Sequence, residues 1–425
     1  MTKQREAYDR DPDATDLVIR PDRLWQRHMD FARFGGTEDG GVCRLALTEP
    51  DLAAHRHLAD IALGLGLRVQ LDPVGNMYLR LEGREPDLAP VMVGSHCDSQ
   101  PTGGRFDGIY GVLAGLEAIE TMVEGGFVPR RPVECVIWNN EEGSRFAPGC
   151  LGSSVFAGLT PLETALAVAD EEGCLLGEAV QDLFAAIPEA ERRALGTPVA
   201  AFLEAHIEQG PVLEAEGRRI GVVTGVQGYR RTEVTMVGRA DHSGTTPRSR
   251  RQDAFLAAMN LCCRMEQALH DDEDLLRFTV GRFAVHPNAW SVVPGKVVFG
   301  IDIRHPDTAT LEHSDAVIAG LIRDRADGCA VTSRTIASSD PVTFPPLVPD
   351  LIEVAAAQRG YSARRIFSGA GHDARNMSFH CPSGMIFVPC RGGISHNSME
   401  YAEPEDLAAG AQVLADVVWQ LAEAR

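Results

Sequence analysis

Apolar positions change period several times along the chain, and each change marks an element. Residues 21–35 and 49–66 carry helical spacing; in the second, Leu52, His55, Leu58, Ile61 and Leu65 fall on one face. LRVQLDPVGNMYLRLEG (67–83) alternates and turns at Pro73–Asn76, which predicts a hairpin. Val91 to Gly94 is a continuous apolar run, the pattern of a strand buried on both faces. From Gly108 a helix puts Ile109, Val112, Leu113, Leu116 and Ile119 on one stripe. PVECVIWN (132–139) reads as a second buried strand, and residues 160–197 as helical and acidic. Strand, helix, strand in this order predicts an α/β core: a mixed, mostly parallel sheet with helices on both faces.

The pattern changes character after residue 219. RRTEVTMVGRA (230–240) alternates strictly, and 251–270 is a helix with Phe255, Ala258, Met259, Cys262 and Met265 inward. RFTVGRFAV (277–285) and KVVFGIDIRH (296–305) have period two, 308–325 is helical, and CAVTSRTIA (329–337) is a strand. This β-α-β-β-α-β order is a split βαβ layer. A helix (347–360), a strand GMIFVPC (384–390) and a last helix from Glu403 return to the first pattern. The expected organisation is a discontinuous catalytic domain, 1–219 and 340–425, with an α+β domain of 220–339 inserted.

With 40 basic against 60 acidic residues the net charge is −20, a surface that repels nucleic acid and anionic membranes. No apolar run approaches the ~20 residues of a membrane span, and the polar start MTKQREAYDRDPDATD is no signal peptide but a loose arm of about 15 residues. The ten cysteines form no CxxC pair and no framework spacing, which fits a reducing cytoplasm. Cys97 touches the candidate site described next; packing is the simpler role for it, because no thiol-activating pattern accompanies it.

Candidate chemistry gathers where the buried strands end. VMVGSHCDSQPTGGRFDGIYG (91–111) runs from strand through His96 and Asp98 to a loop bearing Asp107. Glu141–Glu142 follow the second strand, His206 lies in AFLEAHIEQG, and His396 follows the late strand. Ligands collect beyond the carboxyl ends of such strands. A lone histidine is usually a satisfied core residue, and an acidic pair usually a solvated turn; five such residues in concert are not. His96, His206 and His396 offer neutral imidazoles, Glu142 a terminal carboxylate, and Asp107 two oxygens able to bridge two metals. Imidazole with carboxylate suits Zn²⁺, and also Mn²⁺, Co²⁺ or Ni²⁺. Asp98 can orient His96 by taking its other N–H. Of the adjacent pair, one glutamate can bind metal while the other, Glu141, acts as general base toward a metal-activated hydroxide.

GSHCDS, GGRFDG, NNEEGSRF, HIEQG and GGISHNSMEY, in that order from about residue 20 to the end, resemble the hydantoinase/carbamoylase amidases of the dinuclear metallopeptidase superfamily. That group includes N-carbamoyl-L-amino acid hydrolases, allantoate amidohydrolases and β-ureidopropionases. The resemblance implies two divalent metal ions, one held by His96, Asp107 and His206 and the other by Asp107, Glu142 and His396, with Glu141 as base. His206 stands where the superfamily's peptidases carry an acid, and Gln209 becomes a candidate substrate contact. In GRADHSGTTP, HPNAWSVVPG and DIRHP the resemblance implies that His242 polarises the scissile carbonyl and that Asn288 and Arg304 hold a substrate carboxylate. SGAGHDA brings His372 near the site, as a substrate contact or as a brace for a ligand. Arg248 and Arg251 after TTP, WSVVPG, Cys97 and Cys390 depart from the usual pattern, and none of these departures removes a ligand.

The expected protein is a cytoplasmic metalloamidase that cleaves the C–N bond of an N-carbamoyl amino acid, its insert serving as lid and homodimer interface. Allantoate or ureidoglycolate hydrolysis is the runner-up. An aminoacylase or aminopeptidase, or an inactive metal-binding relative, follows behind.

Overall fold

A computed structural model of the chain describes residues 17–324 and 328–424. The expected N-terminal arm lies outside them. The described residues form two compact units, 1–224 with 344–425 and 225–343, counted over the numbering that each spans.

The first unit is built on a mixed sheet. Its four central strands are Ser383–Val388, Ala201–Ile207, Val91–His96 and Val133–Trp138, neighbours in that order and all parallel. Every residue of these strands is buried. Flanking strands run antiparallel: Ile220–Val226 beside Ser383–Val388, and Met77–Leu81 then Arg68–Leu71 beyond Val133–Trp138. Continuous Val/Ile/Leu-rich runs make the central strands, since both faces are covered by helices. Ile109–Glu124 packs on the sheet and against Pro404–Glu423, whose N-terminal proline needs no N–H at the first helical turn. Asp373–Met377 packs on Leu151–Phe156 and on the strands Ala201–Ile207 and Ser383–Val388. Gly94 has φ +144, and a side chain there would run into the Val136 carbonyl on the next strand.

Residues 160–197 differ from the single acidic helical stretch expected. They form the helices Leu162–Leu166 and Leu176–Ala186 and a short strand Glu191–Arg192. Gly173, at φ +89, and Pro188 interrupt the helical period.

The second unit carries an antiparallel sheet in the order Arg277–His286, Lys296–His305, Gly228–Val237, Ala330–Ser339. The helices Ala254–Ala268 and Thr308–Asp324 pack on it over a core that includes Val234, Met236, Phe299 and Leu311. One expectation fails here. Met259 is 44 % exposed, and the inward face of its helix is Ala254, Ala257, Ala258, Leu261 and Met265. Three alanines carry the buried stripe, so the large residues Phe255 and Met259 misled the phase by one position.

Candidate metal centre and active site

Because the four central strands are parallel, their carboxyl ends share one edge. His96 closes the first of them, opposite Trp138, and His206 sits opposite Phe387 near the end of another. The loop after Trp138 supplies Glu141 and Glu142, and the turn after Val388 leads to His396. Asp107 ends the loop before the Ile109–Glu124 helix. Gly108, at φ +66, lets that loop press on the His96 ring, where a side chain would collide.

Asp107 is the centre of the arrangement. Its Oδ1 lies 3.1 Å from His206 Nε2 and 3.7 Å from His96 Nε2, and its Oδ2 lies 3.1 Å from His396 Nε2. Glu142 Oε2 is 3.5 Å from the same His396 nitrogen. Ligand atoms of His96, Asp107 and His206 cluster within 4.8 Å of one another, and so do those of Asp107, Glu142 and His396. His96, Asp107 and His206 are buried, Glu142 is partly buried and His396 is exposed. The ring Nδ1 atoms of His96 and His206 face the main-chain carbonyls of Asp98 and Ile207, each at 2.9 Å. An Nδ1–H donated there makes Nε2 the ring atom turned toward Asp107.

Asp98 differs in detail from expectation. The hydrogen-bond partner of His96 is the Asp98 carbonyl, while its carboxylate stands 3.7 Å from Nδ1. The two carboxylate oxygens instead accept the main-chain N–H groups of Glu141 and Glu142, each at 3.1 Å. Asp98 therefore ties two strand ends together and sets the direction of both glutamates. Main-chain donors are fixed by the backbone and outcompete a ring for the same oxygens.

Glu141 and Glu142 diverge. Glu141 Oε2 is 3.5 Å from His96 Nε2, and Oε1 accepts from Cys150 Sγ at 3.0 Å. Glu142 Oε2 accepts from Gln100 Nε2 at 2.7 Å, and its buried Oε1 has no hydrogen-bond partner among the described residues. Gln209 donates from Nε2 to Asp107 Oδ2 at 2.9 Å. Asn140, Cys150, Gln209 and His396 all hold positive φ, between 53° and 57°, a strain that gathers at functional sites.

Residues that the sequence patterns did not single out complete the cluster. Glu400 is buried and accepts from the main-chain N–H groups of Phe106 and Asp107 at 2.9 and 3.0 Å. Ser395 Oγ lies 3.0 Å from both Asp107 Oδ2 and Glu400 Oε2. Glu204 takes Ser95 Oγ at 2.6 Å and the Ala374 N–H at 2.9 Å. Glu400 lies within the GGISHNSMEY motif, and that position was its one available signal. His372 is buried with its ring 4.6 Å from that of His206, edge to face, and its Nε2 is 2.9 Å from Ser368 Oγ. Cys97 is buried, and burial pushes its thiol up to about 12, which keeps it protonated at neutral pH.

The electrostatics ask for a cation. Burial, Asp373 and Glu142 push the Glu141 carboxyl well above its usual range. Burial and Asp107 push Glu142 up to about 8. Burial opposes ionisation of Asp107 too, but His206 and His396 hold it well below the usual value. Burial opposes a charge on His206, yet Asp107 and Glu204 bring it to about 9. Nitrogen and carboxylate donors, a buried carboxylate oxygen without a partner and this crowding of acids fit a divalent cation.

His242, Asn288 and Arg304 belong to the second unit. His242 is exposed on the short strand Asp241–His242, and its Nδ1 accepts from the N–H groups of Gly244 and Thr245 at 3.0 and 3.2 Å. Asn288 is exposed at φ +56. Arg304 Nε donates to Asp302 Oδ1 at 3.0 Å.

An α/β sheet with imidazoles and carboxylates clustered at its carboxyl edge defines the class: a metal-dependent hydrolase. Residues 92–420 match the sequence profile of peptidase family M20/M25/M40, and the chain belongs to that family. The N-carbamoyl-L-amino-acid amidohydrolase of Rhizobium meliloti is 41 % identical over 410 residues, covering 95 % of this chain and 97 % of the relative. The allantoate amidohydrolase of Bacillus subtilis (strain 168) is 36 % identical, covering 92 % and 95 %. The crystal structure of an amidase of the hydantoinase/carbamoylase family from Burkholderia multivorans superposes with a TM-score of 0.92 at 45 % identity, covering 96 % of this chain and 99 % of that one. No helix among the described residues is long and apolar enough to cross a membrane.

Proposed function

We propose that this chain hydrolyses the carbamoyl C–N bond of N-carbamoyl-L-amino acids, releasing the amino acid, carbon dioxide and ammonia. The observation that carries this reading is Asp107, with each carboxylate oxygen 3.1 Å from a different histidine Nε2. His96, Asp107 and His206 would hold one divalent cation, and Asp107, Glu142 and His396 a second, with Zn²⁺, Mn²⁺, Co²⁺ or Ni²⁺ as candidates. Such ions supply Lewis acidity toward the substrate carbonyl and toward water.

Glu141 takes the proton of the attacking water on its carboxylate and hands it to the leaving nitrogen. Its raised proton affinity suits both transfers. Asp98 fixes the main chain that aims it. His242 donates from Nε2 to the carbonyl oxygen; the two N–H groups on its Nδ1 support that tautomer. Asn288 and Arg304 grip the substrate carboxylate, while Gln209 and His372 border the acyl part. The insert serves as lid and as the interface of a homodimer. Exposed Leu256 and Met259, one helical turn apart, support a partner on that helix. Free thiols at all ten cysteines support a cytoplasmic setting.

Allantoate is the second reading, favoured by the Bacillus subtilis relative. The test is ammonia release by the Mn²⁺- or Zn²⁺-loaded protein from N-carbamoyl-L-amino acids, N-carbamoyl-β-alanine and allantoate, with release of the free amino acid read for N-acetyl amino acids. Turnover of the first group is expected. Ammonia from allantoate alone would install the second reading instead.

A further inference from the structure

Glu141 is gripped by a residue that neither the metal cluster nor the substrate contacts use. The main-chain N–H of Cys150 donates to the Glu141 carbonyl at 2.8 Å, and Cys150 Sγ donates to Glu141 Oε1 at 3.0 Å. One residue thus holds the backbone and the carboxylate of the base together. Cys150 is itself held in place. It precedes the Leu151–Phe156 helix with φ +54, a conformation that costs a non-glycine residue about 1 kcal/mol or more. Its carbonyl accepts from Asn376 Nδ2 at 3.3 Å. Asn376 also donates to Ser153 Oγ at 3.0 Å, and Ser153 donates to Asp373.

A glutamate side chain has three free torsions, so a carboxylate at a strand end is not aimed by its backbone alone. With Oε1 taken by the thiol, Oε2 is the oxygen turned toward His96, 3.5 Å from its Nε2. We propose that Cys150 is a positioning residue for the base: its S–H fixes one Glu141 oxygen and presents the other to the proton in flight. This rests on Glu141 being the base. The thiol keeps its proton throughout, and no bond to sulfur forms or breaks. Burial and the neighbouring Glu141 both disfavour a thiolate here, which keeps the group a donor.

The experiment compares Cys150→Ala, Cys150→Ser, Glu141→Gln and the double variant Cys150→Ala/Glu141→Gln as metal-loaded protein, with ammonia release from an N-carbamoyl-L-amino acid as readout. Loss of a hydrogen bond to a charged group predicts a kcat roughly 10-fold lower for Cys150→Ala, with KM within about 2-fold. Serine restores a donor and should return kcat to within about 3-fold of wild type, whereas a packing role would favour alanine as much as serine. In the Glu141→Gln background the Cys150→Ala change should have no further effect. If Cys150→Ala does not fold, Cys150→Gly, which suits the positive φ and lacks the donor equally, takes its place. An unchanged kcat in Cys150→Ala, equal losses in alanine and serine, or a loss that persists without Glu141 each overturns the proposal. Glu141→Gln inactive beside a fully active Cys150→Ala sinks only the role of Cys150. Full turnover in Glu141→Gln sinks the base, and the positioning role with it.

Discussion

Asp107 and His396 meet with Oδ2 and Nε2 3.1 Å apart, although one precedes a helix in the first half of the chain and the other follows a strand near its end. The second oxygen of Asp107 is engaged equally closely by His206. Two histidines from separate strand ends therefore address opposite sides of one carboxylate.

Asp107→Asn replaces one of those oxygens by an uncharged N–H₂ donor, which cannot ligate a cation. Metal content measured by elemental analysis should fall from about two ions per chain to one or fewer, and kcat should drop by about 10³-fold or more. Two ions retained in Asp107→Asn would remove Asp107 from the bridging position.

Glu141→Gln keeps the shape of the side chain and removes its basicity. Both ions should remain bound while kcat falls by about 10²–10⁴-fold, the usual worth of a general base. A variant that lost its metal as well would show Glu141 to be a ligand rather than a base.

Arg304 now donates to Asp302, so its fork is oriented but not free. With a carboxylate substrate, Arg304→Ala should raise KM by about 10-fold or more and change kcat less, because a bidentate grip is lost. Neutral amide analogues should show little change. Equal effects on both substrate types would take Arg304 out of substrate binding.

His28 provides a test away from the metal cluster. Its ring is fully buried against Phe106 and Tyr110, and burial lowers its value from 6.5 to about 3. The unfolded chain binds a proton there below pH 6.5, and the folded chain does so only near pH 3. Stability is therefore lost as pH falls through that window, by about 1.4 kcal/mol per pH unit from this one group. His28→Leu should lessen the decline seen in denaturant titrations between pH 6.5 and 5. Parallel declines in the two proteins would contradict the assignment.

Local pattern carried the reading of the central sheet. Val91–His96 and Val133–Trp138 are buried along their whole length, so apolar content alone marked them. It failed where burial is achieved by small residues: the inward alanines of the Ala254–Ala268 helix carry too little contrast to outweigh Met259. It failed again over 160–197, where breaks by Gly173 and Pro188 outweigh the helical composition between them.

The candidate site divides in the same way. His96, Asp107, Glu142, His206 and His396 were legible from their residue types beside strand ends and from long motifs, because the chemistry demands those groups and the parallel sheet supplies the edge. Glu400, Ser395, Glu204 and Cys150 were not. Each acts through one neighbour: a carboxylate on two main-chain N–H groups, a hydroxyl shared between two acids, a thiol on a glutamate. Such bonds depend on approach within about 3 Å between segments remote in sequence, and no periodicity encodes that distance. The chain by itself determined which groups could bind a cation and where its strands would stop. Only the folded arrangement decided that Asp98 spends its oxygens on the backbone of Glu141 and Glu142, since fixed main-chain donors, once brought alongside, satisfy a buried carboxylate better than the histidine ring beside it.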